Sequence, residues 1–365
     1  MATVDSRNAS AKAYVNAKIK EAAKFQPNST FLKTYSDADA ALSALVATRA
    51  NGFRGVVLTV IVGMYLDKNF NPTVNFYDCN PRSIFEKGIY YALTESGIPC
   101  GKSDPLNVAK NAQQLDIAWA RGKRPESASN AVVKYINLLW KNKCTPKFEE
   151  LVSLFFLRLY EYGEFVKSQN INVSFQSVSY NGTLIAYKLS NFVIDCAEGG
   201  ALTQFVVGLL ISKLRKSDIR YKSVEGFNES VFGTNTTGKK PADVWEVKEN
   251  GEYGKLYEIT VKVIDEKRLD DCIGSLTQQG ITESEVIFIC NLTANVSSLN
   301  VTENYLLHNG FVFQFVDIKS FINSIFTTLE QDEQREYIEE LQDFVFMASR
   351  AVATKQYWAN NFSNL

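Results

Sequence analysis

Pro241-Ala242-Asp243-Val244-Trp245, then a turn containing Asn250-Gly251, then Tyr257-Glu258-Ile259-Thr260-Val261-Lys262-Val263: the reading of this chain turns on that stretch. Side chains on a strand point alternately to its two faces. Alternation through residues 257–263 puts Tyr257, Ile259, Val261 and Val263 on one apolar face and Glu258, Thr260 and Lys262 on the other. Asp243 belongs to the strand expected to pair with it. Carboxylates gathered away from water repel each other and need a cation to stay ionised. A divalent metal supplies one and lowers the pKa of a bound water. A nearby lysine can orient that water or stabilise charge on a phosphate.

Outward from this hairpin, Ala201–Lys216 reads as an apolar helix before it and Leu269–Gln279 as a helix after it. Val286–Cys290 and Phe311–Phe315 read as further strands, and Ser320–Thr328 and Gln331–Ala348 as closing helices. Val173–Val178 and Leu184–Leu189 alternate like strands joined through Asn181-Gly182. Toward the N-terminus the helical segments are Ser10–Lys24, Asp37–Ala50, Ser83–Ser96, Asn107–Ala120, Ser127–Lys141 and Phe148–Glu161. Val56–Tyr65 is a continuous apolar run there, and Pro72–Tyr77 is a candidate strand. This mixed order predicts an α/β (α+β) fold, a mixed central sheet flanked by helices, with a helix-rich N-terminal region. The 365 residues suggest two domains, residues 1–165 and 166–365, the composition changing near residue 165.

A hydrophobic fraction of 45% is ample for packed cores. The net charge of −1 excludes a wholly basic coat, so any nucleic-acid surface must be local. The six cysteines form no C-x-x-C pair and read as reduced, mostly buried thiols. His308 is the only histidine, which excludes multi-histidine metal sites. Chemistry here must rest on carboxylates, lysine and an oxygen-loving metal. Met1–Lys20 is polar with no apolar signal region, and the apolar runs fall short of the roughly 20 residues that span a bilayer. A cytoplasmic protein with no membrane partner is expected.

Pro241-Ala242-Asp243, with Glu258 and Lys262 on the next strand, resembles the PD-(D/E)xK nuclease core found in most type II restriction endonucleases. The resemblance covers roughly residues 195–320 and includes both flanking helices. It implies a restriction-endonuclease-like core. Asp243 and Glu258 would be catalytic ligands of Mg2+, with Mn2+ as a substitute, and Lys262 the lysine that assists the attacking water. It also implies a further metal-side acid, Glu198, on the preceding helix. The family spaces the second acid and lysine two apart; here Thr260 holds that position and Lys262 lies four after Glu258. A second registration uses Glu246-Val247-Lys248, with Glu225 or Glu229 as first acid, but it runs into the turn at Glu249-Asn250-Gly251.

The function so implied is sequence-specific cleavage of double-stranded DNA by a homodimer. Arginine, lysine and asparagine can grip phosphates and read base edges. Arg82, Lys102, Asn107, Lys110 and Arg121 in the first half, and Lys239 and Lys240 beside the acids, are the DNA-binding candidates. A second basic cluster comprises Lys213, Arg215, Lys216, Arg220 and Lys222. The alternatives are a DNA repair or junction nuclease on the same core, or a catalytically inactive DNA-binding protein; Thr260 in the lysine position favours the last.

Overall fold

A computed structural model describes residues 4–173, 180–228, 240–299, 301 and 303–363. The chain divides into two compact units, Met1–Asn170 with Phe346–Val352, and Ile171–Val345 with Ala353–Leu365.

The first unit is helical among its described residues: α1 (Val4–Ala22), α2 (Ser29–Thr34), α3 (Ser36–Val46), α4 (Gly52–Leu66), α5 (Pro81–Ile84), α6 (Tyr90–Glu95), α7 (Asp104–Ala109), α8 (Ile117–Ala120), α9 (Glu126–Asn142) and α10 (Pro146–Ser168). At its centre lies α4, buried at every position from Gly52 to Met64. That explains why its sequence shows no period: a helix enclosed on all sides carries no polar stripe. Its length separates it from a strand. The one charge inside it, Arg54, is 4% exposed. Its guanidinium donates to the carbonyls of Val46 and Thr48, both at 2.9 Å, and of Pro99 at 2.8 Å. Pro72–Tyr77 forms no strand; Asn75 caps a short 3-10 turn at Phe76–Cys79. The helix expected over Asn107–Ala120 is interrupted: α7 ends at Ala109, Asn111 has φ +63°, and Asp116 caps α8.

The second unit opens with α11 (Gly182–Asp195) and α12 (Ala201–Arg215). A six-stranded sheet follows: β1 (Tyr221–Glu225), β2 (Val244–Lys248), β3 (Tyr253–Thr260), β4 (Glu285–Cys290), β5 (Tyr305–His308) and β6 (Phe311–Asp317). Its helices are α13 (Glu266–Gln278), α14 (Leu292–Asn295), α15 (Ile318–Thr328), α16 (Gln331–Phe346) and α17 (Val352–Phe362). The strand order is β1-β2-β3-β4-β6-β5. β1–β2–β3 pair antiparallel, β3–β4–β6 parallel, and β5 antiparallel to β6. The sheet is mixed and flanked by helices, as its sequence implies. Leu184–Leu189 is helix and not strand. Asn181 does not turn a hairpin; its Oδ1 accepts from the N–H of Leu184 at 2.9 Å and caps α11. The rest of that expected hairpin, residues 174–179, lies outside the described residues.

Both sheet faces are covered. On one, Leu256, Val286, Phe288, Phe313 and Phe315 form a core with Leu269, Cys272 and Leu276 of α13. At about 25 cal/mol per Å2 of apolar surface removed from water, such a cluster is the main force seating α13. On the opposite face Tyr257 reaches Glu246 and Arg215 of α12. Among the described residues no single helix is long and apolar enough to cross a membrane.

Candidate active site

Asp243 stands immediately before β2, and its main chain is held from two sides. Gln204 on α12, 4% exposed, donates from Nε2 to the carbonyls of Gly226 at 2.7 Å and Asp243 at 3.2 Å. Gly226 has φ +92°, and a Cβ there would lie 2.3 Å from the Asp243 carbonyl oxygen. Only glycine lets the chain leave β1 this close to the start of β2. The Asp243 carboxylate then accepts from the N–H of Ile259 through Oδ2 at 3.0 Å.

The β2–β3 register pairs Val244 with Tyr257 and Trp245 with Leu256. Asp243 precedes this register by one residue, at the end of the pair where β3 carries Glu258 and Ile259. Alternation turns Glu258 away from Tyr257 and toward α13. It is 5% exposed, and Nη2 of Arg268 on that helix lies 3.4 Å from its Oε2. One turn further along α13, burial pushes the Cys272 thiol well above its usual range, and the negative charges of Glu258 and Asp243 push it further. Both acids are therefore on the α13 side of the sheet.

Glu246 occupies the other face, fully buried. Its Oε1 accepts from Arg215 Nε at 2.8 Å and from the Tyr257 hydroxyl at 2.9 Å, and its Oε2 from the N–H of Lys255 at 3.1 Å. Lys248 points to Glu252, 3.8 Å away. Burial first, and then Glu246, raise the Tyr257 hydroxyl far above its ordinary pKa. Glu246 is thus half of a buried ion pair with Arg215 of α12, while Lys248 pairs with Glu252. Of its possible first acids, Glu225 is exposed and accepts from the Ser223 hydroxyl at 2.9 Å, and Glu229 lies outside the described residues.

The strand does not run as far as the alternation implies. β3 ends at Thr260, so Lys262 does not share a strand face with Glu258. Thr260 is buried and its hydroxyl accepts from the N–H of Lys262 at 3.0 Å. That turn releases the chain from the sheet, leaving Lys262 exposed and Val263 59% exposed, not packed on the apolar face.

Glu198 sits half-buried at φ +47°, in the short turn before α12, and accepts from the Thr354 hydroxyl of α17. Lys240 is half-buried, and Lys239 lies outside the described residues. Most of the second basic cluster is already neutralised. Lys213 pairs with Glu336 and Glu340, Lys216 with Glu336, and Arg215 and Arg220 with Asp218. Lys213, Arg215, Lys216, Glu336 and Glu340 border a polar cleft of about 410 Å3 that also takes in Lys222.

No family model and no curated protein matches this chain.

The first-half candidates belong to the first unit. Lys102, Asn107, Lys110 and Arg121 are exposed. Arg82 pairs with Glu86, which also accepts from the Ser103 hydroxyl at 3.0 Å, bringing Arg82 beside the loop that carries Lys102.

Arg268 escaped the sequence reading. It lies in the first turn of α13, where Asp265 caps the helix and accepts the Arg268 N–H at 2.9 Å. A cation in a first helical turn opposes the helix dipole. That conflict is the signal by which its sequence could have shown it.

Proposed function

We propose that the second unit carries a metal-dependent endonuclease centre for double-stranded DNA, with Asp243 and Glu258 as its metal-binding acids. One observation carries this reading: Asp243 and Glu258 lie at the same end of the β2–β3 pair, Asp243 accepting from the N–H of Ile259, the residue after Glu258, and Glu258 buried beside it. A divalent cation stabilises two neighbouring carboxylates of which one is buried and the other half-buried. Their oxygens form a hard donor set, suited to Mg2+ or Mn2+, and the adjacent Cys272 is held as a neutral thiol. Among the described residues no group of three or more His, Cys, Asp or Glu could hold a metal. Mg2+ needs none, being commonly held by one or two carboxylates plus waters and substrate phosphate. When bound it would activate a water and neutralise phosphate charge.

The residues of the chain do the positioning. Gln204 and Ile259 hold the backbone and carboxylate of Asp243, and α13 closes over Glu258. The arrangement supports the resemblance to a restriction-endonuclease-like core, and with it a type II enzyme acting as a homodimer. Incubating the full-length protein with bacteriophage DNA and Mg2+ tests it. Discrete fragments that disappear with chelator support the reading; undegraded DNA under all divalent cations removes it. DNA bound at one sequence but never cut would favour the inactive DNA-binding alternative, to which Thr260 in the lysine position lends weight.

A further inference from the structure

On β3 the position two after Glu258 holds the neutral Thr260, and Lys262 lies beyond the strand end. The helix that covers the site brings a cation to Glu258. Nη2 of Arg268 lies 3.4 Å from Oε2 of Glu258, with the arginine side chain 34% and the glutamate side chain 6% exposed. The Nε of the same guanidinium is buried and has no hydrogen-bond partner. That donor can take an acceptor entering the site beside Glu258. A phosphate oxygen fits, because the planar guanidinium fork matches phosphate geometry.

On the nuclease reading above, we propose that Arg268 is a catalytic residue that contacts the scissile phosphate, taking from α13 the part that a strand lysine would play. In the reaction the oxygen of a water bonds to phosphorus and the bond from phosphorus to the leaving sugar oxygen breaks. One water proton passes to solvent and the leaving oxygen ends protonated. Arg268 exchanges no proton; it holds non-bridging oxygens whose charge is redistributed as the bonds change. Three features place it there. Asp265 fixes the first turn of α13, Leu269 and Cys272 anchor the helix to the sheet, and Glu258 holds one edge of the guanidinium.

The test uses the full-length protein with DNA that the wild type cuts. Arg268→Ala should slow cleavage at saturating Mg2+ by about a hundredfold or more, comparable to losing one charge-stabilising donor. Arg268→Lys should fall between, keeping the charge but losing the fork. Free guanidinium should restore part of the activity of Arg268→Ala. Half-saturation by Mg2+ should fall or stay constant, since Arg268 competes with metal for Glu258. DNA affinity measured with Ca2+ should change little. Arg268→Ala cutting within threefold of wild type, while Asp243→Asn and Glu258→Gln are inert, overturns the proposal and leaves the nuclease reading standing. Wild type that cuts no DNA overturns both. If Arg268→Ala fails to fold, Arg268→Lys decides: a folded variant with full activity overturns the proposal, and one slowed at least tenfold supports it.

Discussion

The N–H of Ile259 donates to Oδ2 of Asp243 at 3.0 Å, so the acid that opens β2 also closes the β2–β3 pair. The carboxylate thereby has two separable roles. Asparagine keeps an oxygen acceptor for Ile259 but loses the charge a metal needs. Asp243→Asn should therefore stay folded within about 1 kcal/mol, the worth of one hydrogen bond. It should lose cleavage by about a thousandfold, the several kcal/mol of metal stabilisation converted at roughly 1.4 kcal/mol per decade. Glu258→Gln should behave alike. Thermal melts beside single-turnover cleavage measure both; an Asp243→Asn protein that cuts at the wild-type rate would remove Asp243 from the site.

Glu246 is the contrasting acid. With Arg215 Nε at 2.8 Å and the Tyr257 hydroxyl at 2.9 Å, removing it strands a cation and a hydroxyl between sheet and helix. Breaking a buried pair costs about 3–5 kcal/mol, and because the Arg215 side chain keeps 20% exposure the lower end is expected. Glu246→Ala should show that loss in denaturant unfolding, while the folded fraction cleaves normally. A stable Glu246→Ala protein without activity would move the centre to the Glu246-Val247-Lys248 registration.

What could be read from the sequence divides along physical lines. The β2–β3 hairpin, and the α13-facing side of Glu258 on it, follow from period-two alternation, which is local. The end of β3 does not: Val261 and Val263 continue the alternation, but the Thr260 hydroxyl bonds the N–H of Lys262 and turns the chain away. Such side-chain bonds compete with the ladder and leave no trace in hydrophobicity. Leu184–Leu189 misleads in the same manner, since Asn-Gly serves both hairpin turns and helix caps, and only the tertiary packing of Ile185, Leu189 and Phe192 decides. Val56–Tyr65 is silent because burial on all sides erases periodicity. β1 and β5 are short edge strands, half-exposed and mixed in composition, with little pattern to read. Arg268 came to light only through α13, since its contact with Glu258 spans two elements.

Asp104, the first residue of α7, gives the first unit a distinct pH signature. Burial raises its carboxyl from 3.8 to about 6, against the opposing pull of the Gly101 N–H and the Arg54 charge. The folded state then binds the proton more tightly than the unfolded chain. Stability from this group is full below pH 4 and falls as pH rises to about 6. The window spans about two units, or about 3 kcal/mol at 1.36 kcal/mol per unit. Asp104→Asn removes the titration and retains an acceptor for Gly101. The difference in melting temperature between variant and wild type should therefore grow in favour of the variant from pH 4 to pH 6.5, then level. A difference running the opposite way would mean that the pairing of Asp104 with Arg54 outweighs its burial.

The final prediction separates sequence reading from phosphate gripping in the first unit. On α7, Asp104, Pro105, Leu106 and Ala109 are buried and Asn107 is exposed, with Lys102 and Lys110 exposed on either side. That pattern leaves a side-chain amide free between two cations, with Arg82 beside the same loop through Glu86 and Ser103. An amide can bond an adenine edge bidentately and discriminate by about 1–3 kcal/mol. A lysine ammonium contacts phosphate without regard to sequence. Asn107→Ala should therefore weaken binding at the cleaved sequence by about ten- to a hundredfold while leaving binding to unrelated DNA unchanged. Lys102→Ala and Lys110→Ala should weaken both alike, each lowering the slope of log affinity against log salt by about one. Binding isotherms on cognate and scrambled duplexes in Ca2+, taken across salt concentrations, measure both effects. If Asn107→Ala leaves the cognate-to-scrambled ratio intact, α7 is not where this protein reads DNA, and the specific contacts must come from elsewhere in the chain.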